Sequence, residues 1–490
     1  MVGANKRKSK HEFVEEFAWM GFPMKAWLIN QSIRDDRQEQ RRGAAPLSHL
    51  LRSVQISPSL KNLCIMSNSD INILQLPNPA HIQADSMLAR RFGKETVNYF
   101  GGSPLNRLSF LRTDHAFLSA AVKHPSTRFV LLKDLSPLIK GPNSLYHAEY
   151  KDVQKLVPPT IFDKSEEEMM KEYDSRITKP DLVFLGVDES AADNVHTDEE
   201  LLQWKIYKGR PYFALDVSEK GTDEQKAEAK AVVEELAARG ITPFTTRQHL
   251  LQPPNDGAIY AQARAYMDWN NRNKFCGTCG HPTLSVNAGT KRACPPTDKA
   301  LAAEGKNLEK QACSTRTTIS NLSFPRTDPT IIVATLSADG KRLLLGRSKR
   351  FPPNWYSTLA GFIEPGESVE DAVRREVWEE AGVRLSRVVI HSTQPWPYPA
   401  NLMIGAIAQV SDPAHETINL EHDPELEDAK WFSIAEVEEA LKNGASMIGE
   451  PPSKDYVEGN LRLPPVTAIA NQLIQAAINQ EYVGDKLARI

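Results

Sequence analysis

The chain has 490 residues, of which 41% are hydrophobic and 25% charged, with a formal net charge of −3. That length suits two or three domains at roughly 150 residues each, and the composition is that of an ordinary globular protein. So small a charge supplies no global field for nucleic acid or an anionic membrane, and any phosphate chemistry must bring its own cations.

No segment approaches the ~20 uninterrupted apolar residues of a membrane span. The best candidate, Phe17 to Ile29, is broken by Gly21, Pro23 and Lys25. Glu12, Glu15 and Glu16 stand where a secretory signal would be basic, and no small-residue cleavage site follows. An intracellular protein without a membrane partner is expected.

Residues 1–85 read as a disordered extension. The first 66 carry eleven Lys/Arg against six Asp/Glu and show no sustained period. Met66 and Met87 offer alternative starts. From 86 to 270 the pattern is globular and α+β. Strands are predicted at Phe129–Leu132, Leu182–Val187 and Pro211–Val217. A helix is predicted over Thr222–Arg239, stopped by Gly240, and a second over 258–273. No catalytic constellation stands out there.

Residues 271–325 hold Cys276, Cys279, Cys294 and Cys313, spaced C-x2-C-x14-C-x18-C; the fifth cysteine, Cys64, reads as an inert free thiol. The C-x-x-C turn points two thiolates at one tetrahedral ion, so structural zinc, one per chain, is favoured over buried cysteines. The insert Pro295–Ala312 must loop out for Cys313 to reach; otherwise His281 is the substitute ligand.

Residues 326–482 read as an α/β unit, followed by a tail, 483–490. A hairpin is predicted from Ile331–Leu336 and Arg342–Gly346 around Asp339-Gly340, and a terminal helix near Thr467–Asn479. Between them lies Gly361-Phe-Ile-Glu-Pro-Gly-Glu367-Ser-Val-Glu-Asp-Ala-Val-Arg-Arg375-Glu376-Val-Trp-Glu379-Glu380-Ala-Gly382-Val383. Ser368 can cap this helix, with Glu370 and Asp371 in its first turn, and Gly382 can end it. Glu376, Glu379 and Glu380, at i, i+3 and i+4, share one face. Val373, Val377 and Ala381 form an adjoining apolar stripe. Three carboxylates so crowded repel one another unless divalent cations neutralise them, and such hard oxygen ligands suit Mg2+ or Mn2+. Cations there could bridge diphosphate oxygens and acidify an attacking water.

This stretch resembles the Nudix box, G-x5-E-x7-R-E-U-x-E-E-x-G-U with U aliphatic, at every specified position. Downstream, Gln394-Pro395-Trp396-Pro397-Tyr398-Pro399-Ala400-Asn401 places aromatics between prolines that should hold them in fixed, extended positions. By itself the segment reads equally as a ring-stacking platform or a stiff connector. With the box, it is similar to the S-Q-P-W-P-F-P-x-S signature of the NADH pyrophosphatase branch of the Nudix family. Thr393, Tyr398 and Asn401 replace Ser, Phe and Ser.

The resemblance implies an α/β/α Nudix sandwich at 326–482, an N-terminal Nudix-like domain at 86–270 and a zinc ribbon at 271–325. It implies metal ligands at Glu376, Glu379 and Glu380, an Ala360 carbonyl on a metal, and Glu425 as a further acidic ligand. Arg375 would hold Glu367 or a neighbouring carboxylate in place. Phe324, Gln394 to Asn401 and Ala470 would line the substrate site; which glutamate is the general base stays open. The implied reaction is hydrolysis of NADH, and also NAD+, to nicotinamide mononucleotide and AMP, with NAD-capped RNA as a further substrate. An enzyme acting chiefly on caps or on another diphosphate is the first alternative, and a non-catalytic nucleotide-binding protein the second. The resemblance also implies a homodimer. Ala488-Arg489-Ile490 is similar to a peroxisomal address, so peroxisome or cytoplasm is expected.

Overall fold

The computed structural model describes residues 96–141, 144–177, 180–190, 200–244, 252–317, 325–364, 367–423 and 425–480. The N-terminal extension, Cys64, Phe324 and the C-terminal tripeptide lie outside them. Among the described residues no helix is long and apolar enough to cross a membrane.

In chain order the first part runs α1 (His115–Lys123), β1 (Arg128–Lys133), β2 (Ser136–Lys140), β3 (His147–Ala148), α2 (Tyr150–Val153), α3 (Glu166–Lys171) and β4 (Leu182–Asp188). It continues with β5 (Leu202–Trp204), β6 (Tyr207–Asp216), α4 (Asp223–Ala238), β7 (Ile241–Pro243) and α5 (Pro254–Arg272). The sheet order is β4-β6-β1-β2-β7, with β3 on β1 and β5 on β6. Strands β1 and β6 are parallel.

Alternation along β1 explains the layering. Phe129 and Leu131 face one core with Phe117 and Leu118 of α1 and Val232 and Leu236 of α4. Val130 and Leu132 face the other core, with Ile259, Ala263 and Met267 of α5. A strand buried on both sides reads as a continuous apolar run, and here the result is a sheet sandwiched between helices. Helix α4 starts on the Thr222 capping box, whose hydroxyl accepts from Gln225 N.

A small hairpin follows, β8 (Leu284–Val286) and β9 (Lys291–Ala293), then α6 (Lys299–Ala303) within the expected insert. The last part comprises β10 (Asp328–Leu336), β11 (Arg342–Ser348), β12 (Leu359–Phe362), α7 (Val369–Ala381), β13 (Arg387–Trp396), β14 (Asn401–Gln409), β15 (Leu426–Ser433), α8 (Ile434–Glu439) and α9 (Ile469–Ile478). Its sheet runs β13-β14-β10-β11-β15, with β12 on β10 and β10 parallel to β14.

The same alternation recurs. Ile332 and Ala334 of β10 pack on Leu473, Ile474 and Ala477 of α9. Ile331 and Val333 pack on Ala372, Val373, Val377 and Ala381 of α7. The valine stripe of the acidic helix therefore meets the sheet, and its glutamate face lies along the edge of that contact.

Candidate active site and zinc ribbon

Helix α7 is capped as its residues require: Ser368 accepts from Asp371 N, and Gly382 closes the other end at φ 73°. Gly361 of β12 lies beneath it so closely that a Cβ there would meet the Glu376 carboxyl carbon at 2.0 Å. Glycine at this position lets the carboxylate settle against the strand.

Arg375 organises the acids. Its Nε and Nη2 donate to the two oxygens of Glu367 at 2.7 and 2.9 Å, a bidentate pair. Its Nη1 donates to Glu376 at 2.8 Å and Glu379 at 2.9 Å, and Nη2 also reaches the Phe362 carbonyl at 2.8 Å. The hydrogen bonds from Arg375 hold the Glu367 carboxyl below its ordinary range, and the acids push the guanidinium up.

Glu380 has a different environment. It is 7% exposed, and its Oε2 is buried with no hydrogen-bond partner. Burial first, then the charges of Glu376, Glu425, Asp423 and Glu379, push its carboxyl up to about 8. Burial also raises Glu376. A buried carboxyl oxygen without a donor lacks what a hard divalent cation would supply, although among the described residues it is the cysteines, not these carboxylates, whose ligand atoms all lie within 4.8 Å of one another. Ala360 pairs with Ile332 on the strand that passes under this cluster. Asp423 was not foreseen; its place beside Glu425 in Asp423-Pro-Glu425 is the signal that could have found it.

The proline-rich segment differs from its expected extended form. Gln394-Pro395-Trp396 ends β13, Pro397 to Ala400 turn sharply, and the Tyr398–Pro399 peptide is cis. The turn arises because β13 and β14 pair antiparallel, Trp396 opposite Asn401, so the chain must reverse between them.

The segment is also where the two sandwiches join. Gln394 is 1% exposed; its Nε2 donates to the carbonyls of Tyr99 (2.9 Å) and Thr467 (2.8 Å), and its Oε1 accepts from Ile469 N (3.0 Å). Asn98 donates to Ser392 Oγ and the Thr393 carbonyl. Trp396 and Tyr398 make edge contacts with Phe100 at 6.0 and 6.3 Å. Arg264 of α5 lies 4.8 Å over the Tyr398 ring and donates to the Pro397 carbonyl. Pro397 is buried, whereas Trp396, Tyr398, Pro399 and Ala400 are partly covered. Asn401 donates to Thr330, but its Oδ1 is buried without a partner. Ala470, in the first turn of α9, is packed in the core.

The four cysteine sulfurs all lie within 4.8 Å of one another, Cys276 to Cys313 at 3.7 Å and Cys279 to Cys294 at 3.5 Å. Zinc–sulfur bonds of about 2.3 Å in a tetrahedron require sulfurs about 3.8 Å apart, so the set fits zinc. The insert does loop out, closed at its base by Lys310 N to the Pro296 carbonyl. Cys313 therefore reaches, and His281 instead bonds the Cys279 carbonyl through Nδ1. Thr315 Oγ1 lies 3.0 Å from Cys313, and Arg316 donates to Cys294.

These three parts match three families in the same order: an NADH pyrophosphatase-like rudimentary NUDIX domain at 126–269, an NADH pyrophosphatase zinc ribbon domain at 271–300 and a NUDIX domain at 326–448. An NAD-capped RNA hydrolase of Saccharomyces cerevisiae is 36% identical over 391 residues, 77% of this chain and 94% of that one. The chain belongs to the NADH pyrophosphatase branch of the Nudix family. An NAD-capped RNA hydrolase of Schizosaccharomyces pombe is 33% identical, covering 82% of this chain and 98% of its own. The human NAD-capped RNA hydrolase is also 33% identical, over 78% and 73%. As a Nudix enzyme of this branch, the chain carries a four-cysteine zinc-ribbon site, and the family implies a divalent metal.

Proposed function

We propose that this Nudix enzyme hydrolyses the diphosphate of NADH and NAD+, giving nicotinamide mononucleotide and AMP, and removes NAD caps from RNA. The observation that carries the reading is Glu380: a partnerless, buried carboxyl crowded by acids costs stability and is retained where a cation repays it. The likeness to NAD-capped RNA hydrolases along nearly the whole length of two of them supports the substrate class.

Glu376, Glu379 and Glu380 would hold Mg2+ or Mn2+, with Glu425 and the Ala360 carbonyl completing the set. Bound there, the ion would acidify a water and offset charge on the diphosphate oxygens. Arg375 keeps Glu367, Glu376 and Glu379 in fixed orientations. Partly covered Trp396 would stack on a ring of the dinucleotide, and the unpartnered Asn401 Oδ1 would accept from a polar substrate group.

The test is a panel of NADH, NAD+, NAD-capped RNA and ADP-ribose with Mg2+ or Mn2+, products being identified by mass. The expected result is cleavage within the diphosphate, abolished by chelation. A wide preference for a substrate without nicotinamide overturns the substrate reading.

A further inference from the structure

Trp378 sits at an unspecified position of the box, between Val377 and Glu379, on the flank of α7 away from the sheet. It is 39% exposed, yet its ring has a partner. The His422 imidazole stacks on it at 4.5 Å and 24°. His422 belongs to the segment that wraps the C-terminal end of α7. Asn419 N donates to the Ala381 carbonyl at 2.9 Å and Asp423 N to the Glu379 carbonyl at 3.1 Å. These bonds satisfy two of the carbonyls that a helix end leaves open.

The bond from Asp423 N to the Glu379 carbonyl sets Asp423 beside the turn that carries Glu380, and the charges of Asp423 and Glu425 both act on the Glu380 carboxyl. Bringing two more carboxylates toward a buried acid is repulsive, so something must hold them there. Two backbone bonds fix the ends of the wrap at Asn419 and Asp423. Between them, Leu420 packs on the core beneath α7 and the ring stack ties the segment to the exposed flank of the helix.

We propose that Trp378, through His422, is a positioning residue: it helps hold 419–423 against the end of α7 so that Asp423 and Glu425 stay beside its acidic face and complete the divalent-cation site. This rests on the reading of the acidic helix as a cation site. Loss of the stack frees the acids to retreat from one another, and cation affinity falls while the helix itself stays intact.

The test is Mn2+ binding to the purified full chain, read as free Mn2+ by electron paramagnetic resonance, for wild type, Trp378→Ala, His422→Ala and Trp378→Phe. The Mn2+ Kd is expected to rise on the order of 10-fold in the two alanine variants, the scale of losing an outer-sphere support of a metal ligand. Trp378→Phe, which keeps a ring, should remain close to wild type. The melting temperature without metal should be unchanged, and turnover should recover at saturating Mn2+. Unaltered Mn2+ affinity in Trp378→Ala overturns the proposal, as does a raised KM for NADH at unaltered Mn2+ affinity. A metal-free protein that melts early and does not recover turnover would make Trp378 a structural residue and overturn it too. Wild type that binds no Mn2+ overturns the cation-site reading itself, a result distinct from all of these.

Discussion

Helix α4 of the N-terminal sandwich and helix α7 of the catalytic one both carry several glutamates, and both pack an apolar stripe on a mixed sheet. On α4, Glu224, Glu228, Glu234 and Glu235 are exposed, and lysines lie near: Lys230 is 3.8 Å from Glu234 and Lys155 3.5 Å from Glu235. Surface pairs of this kind contribute little and cost little. On α7 the acids turn toward the sheet edge, with Gly361 making room for Glu376 and Glu380 buried among carboxylates. The same layered fold thus carries acids screened by solvent and nearby lysines in one sandwich, and in the other acids gathered on Arg375 beside a buried carboxyl that has no partner.

That contrast is breakable. Glu376→Gln or Glu380→Gln should lower turnover at saturating Mg2+ by at least ~100-fold, the scale of removing a key electrostatic group. Glu228→Gln and Glu234→Gln on α4 should leave turnover at wild-type level. Near-normal activity in either α7 variant removes the metal assignment.

The joint between the sandwiches makes the next largest effect. Gln394→Ala strips partners from the Tyr99 and Thr467 carbonyls and Ile469 N. Unsatisfied buried groups cost about 1–3 kcal/mol each, so the urea midpoint should fall clearly whether or not metal is present. An unchanged midpoint would mean that the joint does not depend on this amide.

Trp396→Ala separates recognition from support. If the ring stacks on substrate, NADH binding should weaken by ~1–3 kcal/mol, while a small diphosphate that cannot reach the ring is cleaved as before. Equal losses on both substrates would assign Trp396 to the contact with Phe100.

The metal-free protein should also show a pH dependence. Glu380 titrates near 4.5 when unfolded and near 8 in the fold. The folded state therefore binds more protons across that window, and stability present below about 4.5 is lost as pH rises through about 8. Thermal melts without metal should decline over this range, Mg2+ should restore most at the alkaline end, and Glu380→Gln should flatten the trend. A metal-free melting temperature that rises toward pH 8 contradicts the environment described for Glu380.

Much of this was legible in the amino-acid order because the signals are local. The cap at Ser368, the stop at Gly382, the i, i+3, i+4 glutamates and the turn at Asp339-Gly340 each depend on residues a few positions apart. The hairpin, the acidic helix and the helices after Thr222 and Thr467 accordingly formed within a few residues of their expected places. The short strands β2, β3, β5 and β7 have two to five residues each, too few to show a period, and only their neighbours make them strands.

What the tertiary structure alone decided is where long-range partners meet. Gln394 and Tyr99 are 295 positions apart, and no pattern in either segment announces that one will bond the other. The prolines around Trp396 suggested an extended platform, but pairing of β13 with β14 forced a turn and brought Tyr398 under Arg264. The insert between Cys294 and Cys313 left zinc ligation open until the loop closed on itself. Sequence order could establish that three glutamates share a helical face, since helix geometry is fixed by the backbone. It could not establish that Glu380 is buried without a partner among Asp423 and Glu425, because burial belongs to the packing of segments that the chain brings together only on folding.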